Sequence, residues 1–261
     1  MQLTHKTILI TGATGGIGSE LSRLLAAHGV RLVLTCMNAT LLATLRDELG
    51  AQHHSVAADV STRDGRQAIV DACTAAGGID AVVNLAGILN FNLFEAQSEA
   101  VIERILQVNT VAPILLTRQL LPQLRQRPQA RILNVGSIFG SIGHPGFVAY
   151  CASKAAVRTF SEALARELAD TSVSVAYIAP RATETPLNSD KVNALNLALG
   201  NKSDTPAHVA QEIVALLASD QQLRYLGWPE KLFVRVNALL PAVVHSALVK
   251  KLSIIKHHAK A

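Results

Sequence analysis

Tyr150 and Lys154 stand four residues apart in the stretch Tyr-Cys-Ala-Ser-Lys, a spacing that puts both side chains on one face of a helix. A free phenol has a pKa of about 10, too high for a base at neutral pH, and a neighbouring cation lowers it by stabilising the phenolate. The pair could therefore move a proton to or from an alcohol or carbonyl oxygen. The same pattern also fits an ordinary amphipathic helix with a packed tyrosine and a solvated lysine, so the rest of the chain decides between the two interpretations.

Ser153 has no histidine or acid at a spacing that would activate it as a nucleophile, and we expect it to pack or cap locally.

A glycine-rich turn separates the first apolar run of the chain from the first helical one. A dinucleotide pyrophosphate fits such a turn, because glycines let the backbone approach closely and the helix N-terminus presents free N–H groups and a partial positive charge. A glycine-rich turn alone is a weak signal, but here strand, loop and helix follow in the required order. The candidate cofactor-binding residues of this loop are Thr11, Gly12, Thr14, Gly16, Ile17 and Gly18.

Short apolar runs alternate with longer segments that have apolar residues at helical spacing. The predicted strands are 7–10, 31–35, 54–57, 81–84, 131–135 and 174–178. The predicted helices are 17–28, 39–49, 63–76, 99–125 and 151–169. Such alternation produces βαβ units with a parallel sheet and right-handed crossovers. The sequence therefore predicts an α/β fold, a single-domain Rossmann-like doubly wound parallel sheet spanning residues 1–228.

Polar residues follow the third and fourth predicted strands. Asp59 and Val60 come just after the third, and Asn84, Ala86 and Gly87 belong to the end of the fourth. Ligands of open α/β sheets bind at this carboxyl edge. Taken singly, the aspartate fits a helix cap and the later residues a polar turn. Together with the glycine loop they favour a cofactor groove, and all five are candidate cofactor contacts.

Composition narrows the class of protein. The chain has 261 residues, of which 49% are hydrophobic and 4% aromatic, which suits a sheet covered by helices on both faces. Three scattered cysteines do not make a disulfide framework, and the adjacent histidines at 53–54 and 257–258 lack metal-ligand spacing, so we predict no metal site. The basic residues have no interleaved aromatics, which argues against nucleic acid binding. The first residues lead directly into a strand and leave little room for a targeting segment, so we expect a cytoplasmic protein.

Several spaced motifs, in order, resemble the short-chain dehydrogenase/reductase family over residues 6–186. They are the glycine pattern, Asp59, the Asn-Leu-Ala-Gly stretch from Asn84, Asn109, Ser137 and the Tyr-x-x-x-Lys of Tyr150 and Lys154. The resemblance implies an NAD(P)-dependent oxidoreductase that interconverts a secondary alcohol and a ketone. It implies that Tyr150 is the acid/base and that Lys154 lowers the pKa of Tyr150 and binds the nicotinamide ribose, so that both also belong to the cofactor site. Ser137 would hydrogen-bond the substrate oxygen, and Asn109 would hold a water of the proton relay.

A rival hypothesis from another class is a non-catalytic protein that keeps the fold to sense a dinucleotide or to interact with a membrane surface. The presence of all four catalytic residue types weighs against it, because a non-catalytic protein has no physical need for the set.

The sequence departs from the family at the end of the second strand. An acid there would bind the ribose 2′-hydroxyl of NAD, and a base would pair with the 2′-phosphate of NADP. Cys36 and Met37 occupy these positions, with Met37 as a candidate cofactor contact. Because no carboxylate repels a phosphate, we expect NADP(H) to be favoured over NAD(H).

A second departure follows the sixth strand. Family members often have Pro-Gly before a threonine that contacts the nicotinamide amide, whereas this chain has Arg181 after Pro180. Pro180, Thr183 and Thr185 are candidate cofactor contacts, and Thr185 is the preferred amide contact. The segment 181–204 is predicted to be a lid loop with a short helix near 192–199. This segment and the loops around it have small or apolar residues, which predicts a small hydrophobic carbonyl or alcohol substrate of a lipid-like or acyl type.

The C-terminal extension, residues 229–261, is predicted to be one or two amphipathic helices broken near Pro241. From residue 231 onward it has six basic residues and no acid, against a net charge of +5 for the whole chain. One hypothesis is peripheral contact with an anionic membrane at its inner face, or a cap over an apolar substrate. The alternative is a helix packed on the domain or on a second subunit. The family C-terminal strand that builds tetramers is not evident here, although we expect a homodimer or homotetramer.

Overall fold

A seven-stranded, all-parallel sheet forms the centre of the molecule. The computed structural model describes residues 1–260. The strands are β1 (Thr7–Thr11), β2 (Arg31–Cys36), β3 (His54–Ala57), β4 (Ala81–Asn84), β5 (Ala130–Val135), β6 (Val173–Ala179) and β7 (Leu223–Tyr225). Their spatial order is β3-β2-β1-β4-β5-β6-β7. This arrangement confirms the predicted Rossmann-like α/β fold.

Helices cover both faces of this sheet. They are α1 (Gly16–Ala27), α2 (Ala39–Leu49), α3 (Arg63–Ala75), α4 (Glu99–Leu106), α5 (Ala112–Arg125), α6 (Val148–Glu167), α7 (Asp190–Ala198), α8 (Pro206–Ala218), α9 (Glu230–Leu239), α10 (Pro241–Lys250) and α11 (Leu252–Lys260). Side chains of α1, α2 and α8 share one core cluster, and those of α3, α5 and α6 share another.

The two cores explain why the strands are apolar without alternation. Along β1, Ile8 and Ile10 belong to the core under α1 and α8, whereas Leu9 belongs to the core under α3 and α5. All three are fully buried. A strand that is covered on both faces needs apolar residues at every position.

The carboxyl ends of β1 and β4 meet where the chain reverses its direction of winding. Ile10 of β1 pairs with Leu34 of β2 on one side and with Val83 of β4 on the other. From β1 the chain adds β2 and β3 on one side, and from β4 it adds β5, β6 and β7 on the other. The connections therefore diverge between β1 and β4, which opens a crevice at this point. The glycine loop and the residues after β4 lie at this crevice.

The helix predicted over 99–125 is interrupted. A π-helical segment, Gln107–Val111, separates α4 from α5, and such segments occur frequently at functional sites. By length and composition Glu99–Arg125 is the one helical run among residues 1–260 that could cross a membrane. Leu116, Leu120 and Leu124 are nevertheless buried against the sheet, which is typical of the core helix of a globular domain.

Two elements beyond residue 205 are absent from the sequence prediction. Helix α8 packs on α1, and β7 adds a parallel edge strand next to β6. The sequence analysis did not identify β7 as a strand. With only three residues, β7 is too short to show a periodicity, and polar residues precede it.

The C-terminal extension contains three helices, not one or two. The predicted break at Pro241 is correct, and a second break lies at Lys251 between α10 and α11. On their inner side, Val234 and Val244 pack against Ile138 and Tyr177 beside the sheet. In the preceding lid segment, α7 starts two residues earlier than predicted, because Ser189 caps it by accepting a hydrogen bond from the Val192 N–H.

Candidate functional site

The glycine loop forms a cradle that side chains would fill. Gly12 has a φ of 68°, and a Cβ on it would lie 2.9 Å from the Cα of Ala86. A Cβ on Gly18 would lie 2.2 Å from the Gly12 carbonyl oxygen, and one on Gly16 would lie 2.8 Å from the Cγ2 of Thr185. Helix α1 begins at Gly16 with no acidic residue in its first turn, so its N–H groups and dipole are available to an anion. This cradle fits the pyrophosphate of a dinucleotide.

Thr11 joins the glycine loop to the loop after β4. Its Oγ1 accepts hydrogen bonds from the backbone N–H groups of Leu85 and Ala86, both at 3.0 Å, and donates to the Val83 carbonyl at 3.5 Å. The side chain is buried. Thr11 therefore contributes to the cofactor groove by fixing the distance between the glycine loop and the loop after β4.

Asp59 lies in a cluster of polar groups at the end of β3. Its Oδ1 accepts hydrogen bonds from the N–H and hydroxyl of Ser61, and its Oδ2 accepts one from Arg104 at 2.9 Å. Burial would raise the pKa of this carboxyl, but the bonds from Ser61 and Arg104 together hold it below its ordinary value. The same guanidinium lies 3.8 Å from the sulfur of Met37, a mostly exposed side chain. Arg104 thus brings a positive charge to the place where coenzyme choice is expected to be made.

Tyr150 and Lys154 lie together on α6, as their spacing predicts. The ammonium of Lys154 is 5.8 Å from the centre of the Tyr150 ring and donates a hydrogen bond to the Val135 carbonyl at 3.1 Å. Only 9% of Tyr150 and 5% of Lys154 is exposed. Burial raises the pKa of Tyr150 to about 12, an effect that the Ser137 hydroxyl partly offsets. Burial also lowers the pKa of Lys154 to about 8.

Ser137 is presented at the carboxyl end of β5. Its Oγ accepts a hydrogen bond from the Phe139 N–H at 3.1 Å. The Tyr177 hydroxyl accepts from the Ser137 N–H at 3.4 Å and donates to the Ser137 carbonyl at 3.3 Å. A Cβ on Gly136 would lie 2.0 Å from that hydroxyl, so only glycine lets the Tyr177 ring approach. Tyr177, which sequence analysis did not identify, therefore holds the backbone of Ser137.

Asn109 lies in the π-helical segment and is 1% exposed. Its Nδ2 donates hydrogen bonds to the Ile88 carbonyl at 2.8 Å and to the Ser153 hydroxyl at 3.0 Å, and its Oδ1 accepts one from the Ile88 N–H at 2.8 Å. Ser153 in turn donates to the Tyr150 carbonyl at 2.7 Å. A Cβ on Gly87 would lie 3.3 Å from the Asn109 amide oxygen and 3.4 Å from the Lys154 ammonium. Asn109, Gly87 and Lys154 thus meet beside the catalytic tyrosine.

The side chain of Asn84 points into the protein. It donates hydrogen bonds to Thr117 at 3.1 Å and to the amide oxygen of Asn134 at 2.8 Å. Asn134 donates to Ser161 at 2.8 Å. This buried polar chain ties β4 and β5 to α5 and α6, so only the backbone of Asn84 is left to face the crevice. Sequence analysis missed Asn134 and Ser161, because single polar residues inside apolar runs carry no local signal.

The Arg181 side chain links the lid segment to the C-terminal extension, and we call its bonds to Asp204 and Glu230 the clasp. Its guanidinium donates hydrogen bonds to Asp204 at 2.7 Å and 3.0 Å and to Glu230 at 3.4 Å. Thr183 forms a parallel bridge with Asp204 and donates its hydroxyl hydrogen to the Arg181 carbonyl. Thr185 instead reaches the glycine loop, where its methyl group contacts Gly16. Of the two candidate threonines, Thr185 is the one beside the predicted pyrophosphate cradle.

The remaining candidate cofactor residues lie around the same crevice. Ile17 packs on the core under α1, and Val60 packs on the opposite core. Thr14 lies in the turn before α1, and Pro180 accepts a hydrogen bond from the Ile138 N–H. Within residues 1–260 no group of three or more histidine, cysteine or acidic side chains is placed to hold a metal ion.

Apolar side chains pack around Tyr150 in a cluster that we call the roof. One cluster joins Tyr150 to residues of the lid, the preceding loops and α11, namely Phe91, Phe147, Cys151, Val192, Leu195, Ile255 and Ala259. Phe91 and Phe147 stack with their ring centres 4.8 Å apart. Helix α11 therefore packs on the domain through Ile255, which is fully buried.

Comparison with known proteins agrees with this geometry. Residues 6–196 match the family model described as short chain dehydrogenase. Over 232 residues the chain is 36% identical to nodulation protein G of Rhizobium sp. (strain N33), covering 87% of this chain and 94% of that protein. Over 234 residues it is 34% identical to the 3-oxoacyl-acyl-carrier-protein reductase of Vibrio cholerae, covering 87% of this chain and 95% of that protein.

A solved structure extends the likeness to three dimensions. The 3-ketoacyl-acyl-carrier-protein reductase of Brucella melitensis, complexed with NADH, superposes with a TM-score of 0.78 at 29% identity, over 85% of this chain and 96% of that chain. The chain belongs to the short-chain dehydrogenase/reductase family and is an NAD(P)-dependent oxidoreductase.

Proposed function

We propose that the protein reduces an apolar ketone to a secondary alcohol, with NADP(H) as the preferred coenzyme. The observation that carries this proposal is the position of Tyr150, which lies beside Ser137 and Lys154 and packs in a cluster of apolar side chains. The bound dinucleotide supplies the hydride that forms the new C–H bond at the carbonyl carbon.

The residues of the chain supply the proton and hold the oxygen. Ser137 donates a hydrogen bond to the carbonyl oxygen, and the Tyr150 phenol transfers its proton to the same oxygen as negative charge develops there. Lys154, as an ammonium, stabilises the phenolate that remains. Burial raises the pKa of Tyr150 to about 12, so its phenol is protonated at neutral pH and has a proton to donate.

The substrate class follows from the roof. Phe91, Phe147, Val192, Leu195 and Ile255 exclude water and offer no ionic partner, so they favour an alkyl or acyl-type chain beside the carbonyl. We expect kcat/KM for methyl ketones to rise about fourfold per added methylene while the chain remains under the roof.

A matched pair of variants on α11 tests this role. Ile255→Ser replaces a fully buried roof residue, whereas Ile254→Ser changes its neighbour, which is 39% exposed. The first variant should flatten the dependence on chain length, and the second should leave it unchanged. Equal rates across the series in the wild-type protein would overturn the apolar substrate class.

Coenzyme preference rests on charge at the end of β2. No acid lies at Cys36, Met37 or Asn38, and Arg104 brings its guanidinium to Met37. This guanidinium is ion-paired with Asp59, and its N–H donors beside Met37 favour a 2′-phosphate. Arg104→Gln should weaken NADPH binding more than NADH binding, and Met37→Asp should shift the preference toward NADH. Arg118→Gln, an exposed change on α5, is the control, and tighter binding of NADH than of NADPH by the wild type would contradict the preference.

A further inference from the structure

We propose that the outward side of helices α9 to α11 docks on an anionic lipid bilayer. The tail surface is defined by the exposed basic residues of this segment and by eight exposed apolar residues, namely Trp228, Leu232, Phe233, Leu239, Leu240, Val243, Val249 and Ile254. Leu239 and Leu240, which are 80% and 60% exposed, form the corner between α9 and α10. Single exposed apolar residues are normal, but a run of them over one short segment marks an interaction surface.

The exposed residues recur at helical spacing. In α9, Leu232, Arg235 and Leu239 are separated by three and four residues, which puts them on one side of the helix. In α10, Val243 and Lys250 are seven residues apart and therefore also share a side. Apolar and basic side chains are thus both exposed on these helices, which is the combination that an anionic membrane surface attracts.

The charged residues of this segment are almost all basic. Lys231, Arg235, Lys250, Lys251, Lys256 and Lys260 are all exposed. Glu230 is the one acid within residues 229–260, and it already accepts a hydrogen bond from Arg181. The tail surface therefore presents positive charge beside apolar groups, which is complementary to anionic headgroups over acyl chains.

Packing of these helices on the domain does not explain why apolar residues are exposed on their outward side. The inward side of the same helices already packs on the domain through Val234 and Val244 near β6 and through Ile255 and Ala259 over the roof. The predicted alternatives of a packed helix and a membrane contact therefore apply to opposite sides of the same segment. Docking on a bilayer does not depend on the proposed substrate or coenzyme.

Co-sedimentation of the full chain with lipid vesicles tests the proposal. We expect the protein to bind vesicles of phosphatidylcholine mixed with phosphatidylserine, to bind vesicles of phosphatidylcholine alone much more weakly, and to be released by salt. Replacing Lys231, Lys250 and Lys256 by glutamine should weaken binding about a hundredfold, at roughly fivefold per basic residue. The double change Leu239→Ser and Leu240→Ser should weaken it at least about tenfold.

Matched controls separate this surface from general charge and hydrophobicity. Arg31→Gln, Arg118→Gln and Arg125→Gln together remove three exposed positive charges elsewhere, and Leu41→Ser removes an exposed leucine from α2. Both controls should bind like the wild type and melt at the same temperature as the tail variants. Absence of vesicle binding, or equal loss in the controls, would overturn the proposal. So would a wild-type dimer in sedimentation analysis that Leu239→Ser with Leu240→Ser converts to a monomer, because a second copy would then cover this surface.

Discussion

Lys154 holds its charge where almost no water reaches it. Its ammonium has the Val135 carbonyl and the Tyr150 ring as neighbours, and burial lowers its pKa from an ordinary 10.5 to about 8. Below pH 8 the lysine is protonated in both folded and unfolded chains, so the full penalty of burying the charge is present. Between about pH 8 and pH 10.5 the unfolded chain binds more protons, and this group makes stability rise with pH.

Removing the buried charge of Lys154 should stabilise the folded chain. Lys154→Met should raise the free energy of unfolding at pH 7 by about 1–3 kcal/mol and abolish turnover, because catalysis requires the charge that folding disfavours. In the wild type, ketone reduction should fall as the pH rises above about 8, where Lys154 loses its proton. Urea unfolding and a pH–rate profile measure both effects. A less stable Lys154→Met protein would contradict this account of the buried cation.

Tyr177 is a positioning residue for Ser137. Tyr177→Phe removes the hydroxyl that bonds both backbone groups of Ser137 while keeping the ring over Gly136. With about 1 kcal/mol for each of the two hydrogen bonds, kcat should fall roughly thirtyfold, with little change in coenzyme affinity. Steady-state kinetics separates the two constants. A rise in the KM for coenzyme at constant kcat would assign Tyr177 to a general structural role instead.

At the scale of elements, the clasp made by Arg181 joins β6, the lid segment and α9. The Arg181–Asp204 pair is largely buried, and removing Asp204 leaves the guanidinium with Glu230, at 3.4 Å, in place of two carboxylates. Asp204→Asn should therefore lower the unfolding free energy by about 3 kcal/mol and raise the KM for coenzyme more than it lowers kcat. Glu212→Gln, which breaks the more exposed pair with Arg224, is the control. Equal effects of the two changes on the KM would show that the clasp does not position the loop.

The elements also show what sequence patterns can reveal. Most of the first six strands and the helix of Tyr150 follow from apolar patterns, because buried strands and amphipathic helices leave strong local signals, although β3 is largely exposed. The π-helical segment at Asn109 leaves only an asparagine between valines, and β7 is too short for any pattern. Arg181 was visible as a departure, but its partners are distant in sequence, so only the folded chain reveals the clasp.

For the whole molecule, the sequence could single out candidate catalytic residues because their spacing within one helix and at strand ends is local. It could not reveal that α11 joins the same apolar cluster as Tyr150, since the two are about a hundred positions apart in the chain. The same packing leaves the tail surface on the outside. The roof and the tail surface are therefore properties of the assembled chain and not of any one motif.

The central claim is that Tyr150 supplies the proton while the glycine loop holds the coenzyme. The most direct measurement is a titration of Tyr150→Phe with NADPH and NADH, followed by turnover of a medium-chain ketone beside the wild type. The account predicts coenzyme affinities within about twofold of the wild type and a loss of turnover of about a hundredfold to ten-thousandfold. Retained turnover would contradict the role of Tyr150, and absence of coenzyme binding in the wild type would contradict the role of the glycine loop.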